Sequence, residues 1–227
     1  LVTDALERLA WGADRGGEDG EAAVAGKRRR LLAAALRRGG AGGVLAPRAF
    51  YDAVYAAMLR AGMRAELLSL DETLRGTGAQ AMYLDAFLLD TGGGAARLHA
   101  VARPLEASAE QASHLEALAR LYAARGRPGD AAWVLHRLAF RSGGDGVGLE
   151  ERCALLSQAL LHARSVSVGP LGGGGAQGAV DPAAAAQEIE DRLQVLTFQQ
   201  RLARELCDGD TRARAEALGL RLDALNS

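Results

Sequence analysis

Apolar residues recur along this chain three or four positions apart, which is the spacing of amphipathic helices rather than of strands. The segment that begins at Pro47 is an example, because four apolar residues fall on one of its faces: Phe50, Val54, Met58 and Ala61. Pro47 suits a first helical turn, where its missing N–H would have no partner. No stretch of five or more residues alternates apolar and polar positions with β-branched enrichment. The pattern predicts an all-α protein.

The same periodicity predicts most of the remaining chain. Helices are expected over 1–10, 27–38, 47–62, 64–74, 78–90, 95–103, 149–165, 181–208 and 212–225. The predicted helix 95–103 ends just before Pro104, because proline disfavours a helical conformation in the residue before it. Two glycine-rich stretches, 12–26 and 169–180, are predicted to be flexible loops.

The segment 114–140 reads as two amphipathic helices joined by a Gly-Arg-Pro-Gly turn at 126–129. Two facing apolar stripes are expected: Leu115, Leu118, Ala119 and Tyr122 on the first helix, and Ala131, Val134, Leu135 and Leu138 on the second. The pattern is loosely that of a tetratricopeptide repeat, but no 34-residue copy recurs. Short loops between antiparallel helices fit a bundle or a solenoid. Because the helix pair at 114–140 matches the repeat only loosely, it favours an irregular α-helical solenoid of antiparallel helix pairs. Residues 1–227 are predicted to be a fragment of one such domain.

The helix that begins at Asp181-Pro182 carries two apolar stripes. One contains Ile189, Leu193 and Leu196, and the other contains Val195, Phe198, Leu202 and Leu206. At about 100° per residue these stripes are more than a quarter-turn apart. We therefore expect neighbours to pack on two sides of this helix.

Composition excludes several classes of function. Of 227 residues, 49% are hydrophobic and 24% charged, as in a soluble globular chain. Aromatic residues make up only 4% and the net charge is -1, so direct nucleic-acid binding is not expected. Lys27 is the single lysine among 27 basic residues, which indicates compositional bias rather than an arginine-rich binding signal.

Two cysteines, Cys153 and Cys207, lie far apart, which fits a reducing compartment and argues against a disulfide scaffold. The sequence contains no run of 18 apolar residues, so no membrane span is predicted. The chain starts at Leu1 in what reads as a helix already under way, so we expect it to be a piece of a longer protein.

Candidate chemistry is sparse. Gly173, Gly175 and Gly178 match a dinucleotide fingerprint, but they follow a predicted helix and not a strand, so a flexible linker is favoured over phosphate binding. None of the four histidines has a metal-ligand spacing, and solvated surface histidines are expected, His136 among them. Catalytic, cofactor-binding and metal-ligating residues are all predicted to be absent.

Charged clusters have ordinary structural explanations. The carboxylates Glu150-Glu151 and Glu188/Glu190/Asp191 lie in the first turns or first halves of helices, where they favour the positive end of the helix dipole. The basic segment 27–38 offers three leucines and no aromatic residue to anchor it on a membrane. A solvated basic face is the expected interpretation.

Trp133 is the single candidate for partner binding. It points away from the Val134/Leu135/Leu138 stripe of its helix, so it either packs against a neighbouring helix pair or anchors a partner.

The order of these segments resembles the C-terminal helical region of the non-repetitive scaffold nucleoporins, and more narrowly their large inner-ring members. An Ala-Ala-x-Val-Leu-x-x-Leu-Ala element spans 131–139, and an Arg-x-x-x-Leu-x-x-Ala helix with an Ala-Arg-Ser end spans 152–165. A long Glu-rich helix with repeated glutamines follows at 188–200. The upstream segments 1–10 and 50–68 fall in the same order, so the resemblance covers nearly the whole chain.

This resemblance implies a structural scaffold of the inner ring of the nuclear pore complex at the nuclear envelope, with no enzymatic activity and no cofactor. The implied partners are other scaffold nucleoporins and short linker-nucleoporin segments. Membrane contact is implied only for parts of the parent protein outside this chain. A helical-repeat adaptor of a vesicle-coat or cargo-binding complex is the alternative, because it shares the same solenoid physics.

Overall fold

The computed structural model describes residues 32, 34, 36, 47–74, 80–100, 103–143, 146–166 and 182–207. These residues form eight helices and no strand, which confirms the all-α prediction. The helices are α1 (Pro47–Arg60), α2 (Arg64–Leu74), α3 (Gln80–Thr91), α4 (Ala95–His99), α5 (Ala109–Ala124), α6 (Pro128–Ala139), α7 (Leu149–Val166) and α8 (Pro182–Cys207).

Contacts divide the chain into two compact units, 1–90 and 91–227. The predicted loops 12–26 and 169–180, the glycines at 173–178 and the helices predicted over 1–10 and 212–225 lie outside the described residues. The assignment of 1–227 to one domain stays a prediction.

In the first unit, the core of α1 is richer in aromatic residues than the sequence pattern indicated. Val54 and Met58 are buried as predicted, but Phe50 and Ala61 are only half-buried. Tyr51 and Tyr55 occupy the buried positions instead. Their rings are 6.1 Å apart, and they continue onto α3 through contacts with Tyr83 at 5.4 Å and Phe87 at 5.6 Å.

The basic segment 27–38 is described at three positions only. Leu32 and Leu36, four residues apart, are buried, whereas Ala34 is exposed. The Tyr51 hydroxyl donates a hydrogen bond of 2.9 Å to the Leu36 carbonyl oxygen. Because Leu32 and Leu36 are used for internal packing, these two leucines are not available to enter a membrane surface.

Helices α1 and α5 end in the same way, with a glycine in the left-handed region. Gly126 has φ 72°, its N–H donates to the Ala123 carbonyl at 3.1 Å, and Arg127 N–H donates to the Tyr122 carbonyl at 2.8 Å. Gly62 ends α1 with the same pair of bonds. This Schellman arrangement satisfies the last carbonyls of each helix, and glycine adopts it without the strain that a Cβ would cause.

The hairpin α5–α6 is the centre of the second unit, and both predicted stripes are buried as expected: Leu115, Leu118, Ala119, Tyr122, Ala131, Val134, Leu135 and Leu138. Pro128 and Gly129, which were expected in the joining turn, form the start of α6 instead. The helix α5 starts at Ala109, five residues before the predicted hairpin. Its signal is the capping box of Ser108 and Gln111, whose side chains each accept from the other's backbone N–H.

In the second unit, α6 packs on α5, α7 on α6 and α8 on α7. Exposed ion pairs align the last two helices: Arg164 with Glu190 at 2.7 Å, and Arg204 with Glu150 at 3.7 Å. Because the start of one helix meets the end of the other, α7 and α8 are antiparallel. Helices that pack on their neighbours in chain order are the arrangement expected of a bundle or a solenoid.

The prediction that α8 is packed on two sides is wrong for its second stripe. Ile189 and Leu196 are buried, but Val195 and Phe198 are 58% and 67% exposed. Periodicity identifies the two stripes, but it does not show whether a neighbour is present on each side.

Candidate interaction surfaces

The most constrained polar group in the second unit is Arg137, which is 8% exposed on α6. Its Nη2 donates to the carbonyl oxygens of Ala100 at 3.0 Å, Arg103 at 2.8 Å and Arg97 at 3.5 Å. These carbonyls lie at the end of α4 and just after it, where helix carbonyls lack their full set of intrahelical donors. Those of Arg97 and Ala100 also accept longer backbone bonds, from Ala100 N–H at 3.4 Å and Arg103 N–H at 3.2 Å. Burial lowers the pKa of the guanidinium below its usual value. This arginine is used as an internal brace and is not offered to a ligand.

A second buried arginine lies one turn further on. Arg141 is 7% exposed, donates to the Ala107 carbonyl at 3.3 Å and approaches Glu151 of α7 at 4.0 Å. Beside it, an isolated parallel bridge joins Glu106 to Ser142. The end of α6 therefore holds the segment that leads into α5, and sequence spacing gave no signal for either arginine.

A furrow of about 200 Å³ runs between α5 and α7 with α6 as its floor. Its apolar lining includes Ala119, Leu135 and Leu155, and its polar lining includes Glu116, Arg120, Glu151, Gln158 and His162. The volume is below that of a typical small-molecule site. It suits a single apolar side chain with polar neighbours on both sides.

Trp133, the candidate from sequence, lies on the opposite side of α6 with His136 and Phe140. The rings of Trp133 and His136 are 6.3 Å apart, and those of His136 and Phe140 are 5.5 Å apart. The Arg192 guanidinium of α8 lies 4.9 Å from the Phe140 ring centre. Trp133 is half-buried, and its Nε1 is buried with no hydrogen-bond partner among the described residues. Its role in partner binding stays a prediction.

The expectation of a solvated His136 is wrong. The residue is half-buried, and its Nε2 is buried without a hydrogen-bond partner in the described part of the chain. Burial lowers its pKa below 6.5, and the nearby positive charges of Arg192 and Arg137 lower it further, while Glu188 opposes them. The sequence could not show that side chains of α8 approach this face, where Arg192 lies 4.9 Å from the Phe140 ring centre.

The carboxylates singled out from sequence have separate structural roles. Glu150 and Glu151 lie in the first turn of α7, as expected for the helix dipole. The first turn of α8 has no acidic residue. Further along α8, Glu188 pairs with Arg192 at 2.6 Å, and Asp191 accepts from Gln187 at 2.8 Å. Within the ranges that the structure describes, no group of three or more His, Cys, Asp or Glu side chains could hold a metal ion.

Cys153 is a free, half-buried thiol. Burial raises its pKa, and the Glu150 carboxylate adds to this effect. A raised pKa keeps the thiol protonated, which is the opposite of what a nucleophilic cysteine requires. Among the helices described, none is both long and apolar enough to cross a membrane.

These observations define a class of protein: an all-α stack of helices whose buried arginines and leucines serve internal packing. The class becomes specific through comparison with known families. The chain matches the family described as non-repetitive/WGA-negative nucleoporin C-terminal over residues 47–227. The match covers well over half of the chain, so the chain belongs to this family, as the C-terminal region of a non-repetitive nucleoporin.

Membership of this family makes the chain part of a nuclear pore component, located in the nuclear pore complex at the nuclear envelope. The family is a structural one, and its members interact with other components of the pore. Searches among curated proteins and among solved structures gave no match.

Proposed function

We propose that the chain is a scaffold component of the inner ring of the nuclear pore complex and supports protein and mRNA transport through protein–protein contacts. The proposal is supported mainly by the observation that the polar side chains of the second unit serve internal structural contacts. The buried arginines Arg137 and Arg141 fasten backbone segments inside the second unit, and the carboxylates beside them form ion pairs or occupy a helix N-terminus. These internal contacts stabilise a stack of helices whose outer surfaces can bind partners.

The proposed position in the pore can be tested by super-resolution imaging of the tagged parent protein, viewed along the plane of the nuclear envelope. An inner-ring scaffold is expected to give a single layer at the mid-plane of the envelope. Two layers displaced to the cytoplasmic and nuclear sides would contradict the inner-ring proposal and leave the family assignment intact. A vesicular or Golgi pattern would favour the coat-adaptor alternative.

The proposed partners are other scaffold nucleoporins and short extended segments of linker nucleoporins. The furrow between α5 and α7 is the site we propose for such a segment, because its apolar lining at Leu135 and Leu155 lies between polar side chains from both helices. One apolar side chain of the segment would enter the furrow, and the neighbouring polar groups would set its direction.

A furrow-filling variant tests this assignment. Ala154 is exposed on α7 and lines the furrow, so Ala154→Trp occupies the space without removing a core contact. The matched control is Ala124→Trp, at an exposed position of α5 outside the lining. Pull-down of linker nucleoporins from nuclear extract should be lost with Ala154→Trp and retained with Ala124→Trp. Equal capture by both variants would show that the furrow is not the site.

A further inference from the structure

The two helices that line the furrow, α5 and α7, run in the same direction. The end of α6 meets the start of α5, where Ala107 N–H donates to the Ser142 carbonyl oxygen at 3.1 Å. The end of α6 also meets the start of α7, where Arg141 lies 4.0 Å from Glu151. Since α6 packs on both helices, α5 and α7 are each antiparallel to α6 and therefore parallel to one another.

The furrow has two ends of different charge, because on both helices the acidic residue of the lining comes first. On α5, Glu116 precedes Arg120 by about one turn, and on α7, Glu151 precedes Gln158 and His162. In parallel helices this order brings both carboxylates to one end of the furrow and the guanidinium, amide and imidazole groups to the other. The first end attracts a positive charge, and the second attracts a negative charge through Arg120.

The charges at both ends are open to a partner. Glu116 is half-buried and Arg120 is exposed, and neither forms an ion pair within the described ranges, although they are one turn apart. Glu151 approaches Arg141 at 4.0 Å, but 49% of its side chain remains exposed. A bound segment can therefore pair with these groups without first breaking a close ion pair inside the chain.

The spacing of the lining fits an extended segment. Leu155 is four residues after Glu151, and Arg120 is four after Glu116, so each pair is separated by about 6 Å along its helix. In an extended chain, alternate side chains point the same way and are about 6.6 Å apart. Three alternate side chains can lie along the furrow, with the central one on Leu135 and Leu155 and the outer two at the charged ends.

We propose that the furrow recognises an extended segment in which an apolar residue has a basic residue two positions to one side and an acidic residue two positions to the other. The inference rests on the proposed function, in which the furrow binds a linker segment, and specifies the chemistry of that segment. The basic side chain lies at the end with Glu116 and Glu151, and the acidic side chain lies at Arg120. A segment with charges of one sign on both sides meets repulsion at one end, so the furrow selects its partner by charge order.

A phage-displayed library of short random segments tests the proposal, with the 227-residue chain as bait. Segments that also bind Ala154→Trp are removed first, because this variant fills the furrow. The remaining segments should carry an apolar residue with a basic and an acidic residue at the two alternate positions. Enrichment of apolar residues without this pair of charges would overturn the proposal and leave the furrow as the binding site. If no segment distinguishes the parent chain from Ala154→Trp, both this proposal and the proposed site fail.

An exchange of charges on α5 is the second measurement, with a synthetic peptide of the most enriched sequence. Glu116→Arg together with Arg120→Glu keeps the composition and reverses the order of charges. The affinity for the peptide, measured by fluorescence anisotropy, should fall at least about fivefold, because attraction on α5 is replaced by repulsion. Reversing the peptide does not restore the fit, because Glu151 keeps its place on α7.

The matched control makes the same exchange outside the furrow. Arg201→Glu together with Glu205→Arg reverses an exposed i,i+4 pair on α8 and should change the affinity by less than about twofold. Circular dichroism shows whether each variant remains helical. Equal affinities of the two exchanged chains for the peptide would overturn the proposal.

Discussion

At the scale of single residues, buried arginines stabilise the fold of the second unit. Arg137 and Arg141 are both nearly buried, and both donate to backbone carbonyls more than thirty residues away in sequence. A planar guanidinium with several donors can satisfy more than one carbonyl at once, which a lysine ammonium does less well in a fixed geometry. Long-range backbone fastening of this kind holds a short helix such as α4 in place.

We predict that Arg137→Met lowers the free energy of unfolding by about 2–3 kcal/mol, because hydrogen bonds from a charged group are lost and their acceptors stay behind. Arg137→Lys should recover part of the loss. Denaturant titration followed by circular dichroism measures both effects. Arg201→Met is the control: Arg201 is 79% exposed in an i,i+4 pair with Glu205, and its loss should cost less than about 0.5 kcal/mol. Equal effects at the two positions would contradict the bracing role.

His136 should make stability depend on pH. Its pKa in the folded chain lies below 6.5, the value expected for the unfolded chain, because of burial and the charges of Arg192 and Arg137, opposed by Glu188. The unfolded chain therefore binds the proton first as pH falls. The contribution is complete above about pH 6.5 and is lost as pH falls from there towards the folded pKa.

The measurement is a series of denaturant titrations from about pH 8 to pH 5 on the parent chain and on His136→Asn. The parent should lose stability below about pH 6.5, and the variant should lose less over the same interval. The difference between the two curves isolates His136 from the other histidines. If the free energy of unfolding changes with pH equally in both chains, His136 does not contribute to the pH dependence.

At the scale of elements, the α5–α6 hairpin is held by facing apolar stripes with small alanines between them. Leu118 and Leu135 are buried on opposite helices. We predict that Leu118→Ala or Leu135→Ala each lowers the free energy of unfolding by about 2–5 kcal/mol, through lost transfer energy and a residual cavity. Thermal and denaturant unfolding measure the loss.

Leu161→Ala provides the control for the hairpin, since this leucine is on the neighbouring α7 and is 70% exposed. Its replacement should change stability by less than about 0.5 kcal/mol. An unchanged melting temperature for the two hairpin variants would mean that the stripes do not form the core.

Helix order and most helix limits were predictable because each depends on a local signal: Pro47 and Pro128 at first turns, and Gly62 and Gly126 after last turns. The start of α5 at Ala109 was missed although the capping box carried a signal. The buried arginines could not be predicted, because a guanidinium that binds distant carbonyls leaves no spacing in the sequence. The burial of His136 and the exposure of Phe198 depend on the placement of α8, which periodicity does not determine.

At the scale of the whole molecule, the division at residues 90 and 91 separates two sets of contacts that are each built around their own core. The bracing bonds of Arg137 and Arg141 stay within 91–227, and so do the packed pairs from α5 to α8. The first unit has its own aromatic core, which joins α1 and α3. This organisation has a direct consequence for truncation.

We predict that residues 91–227 fold without residues 1–90, because each long helix from α5 to α8 packs on its neighbour in that range and both buried arginines keep their acceptors. The fragment should be helical and should unfold in one cooperative transition. Arg137→Met in the fragment should cost about the same 2–3 kcal/mol as in the 227-residue chain, since its partners are all present. A non-cooperative melt of the fragment would mean that the first unit is required for the second to fold.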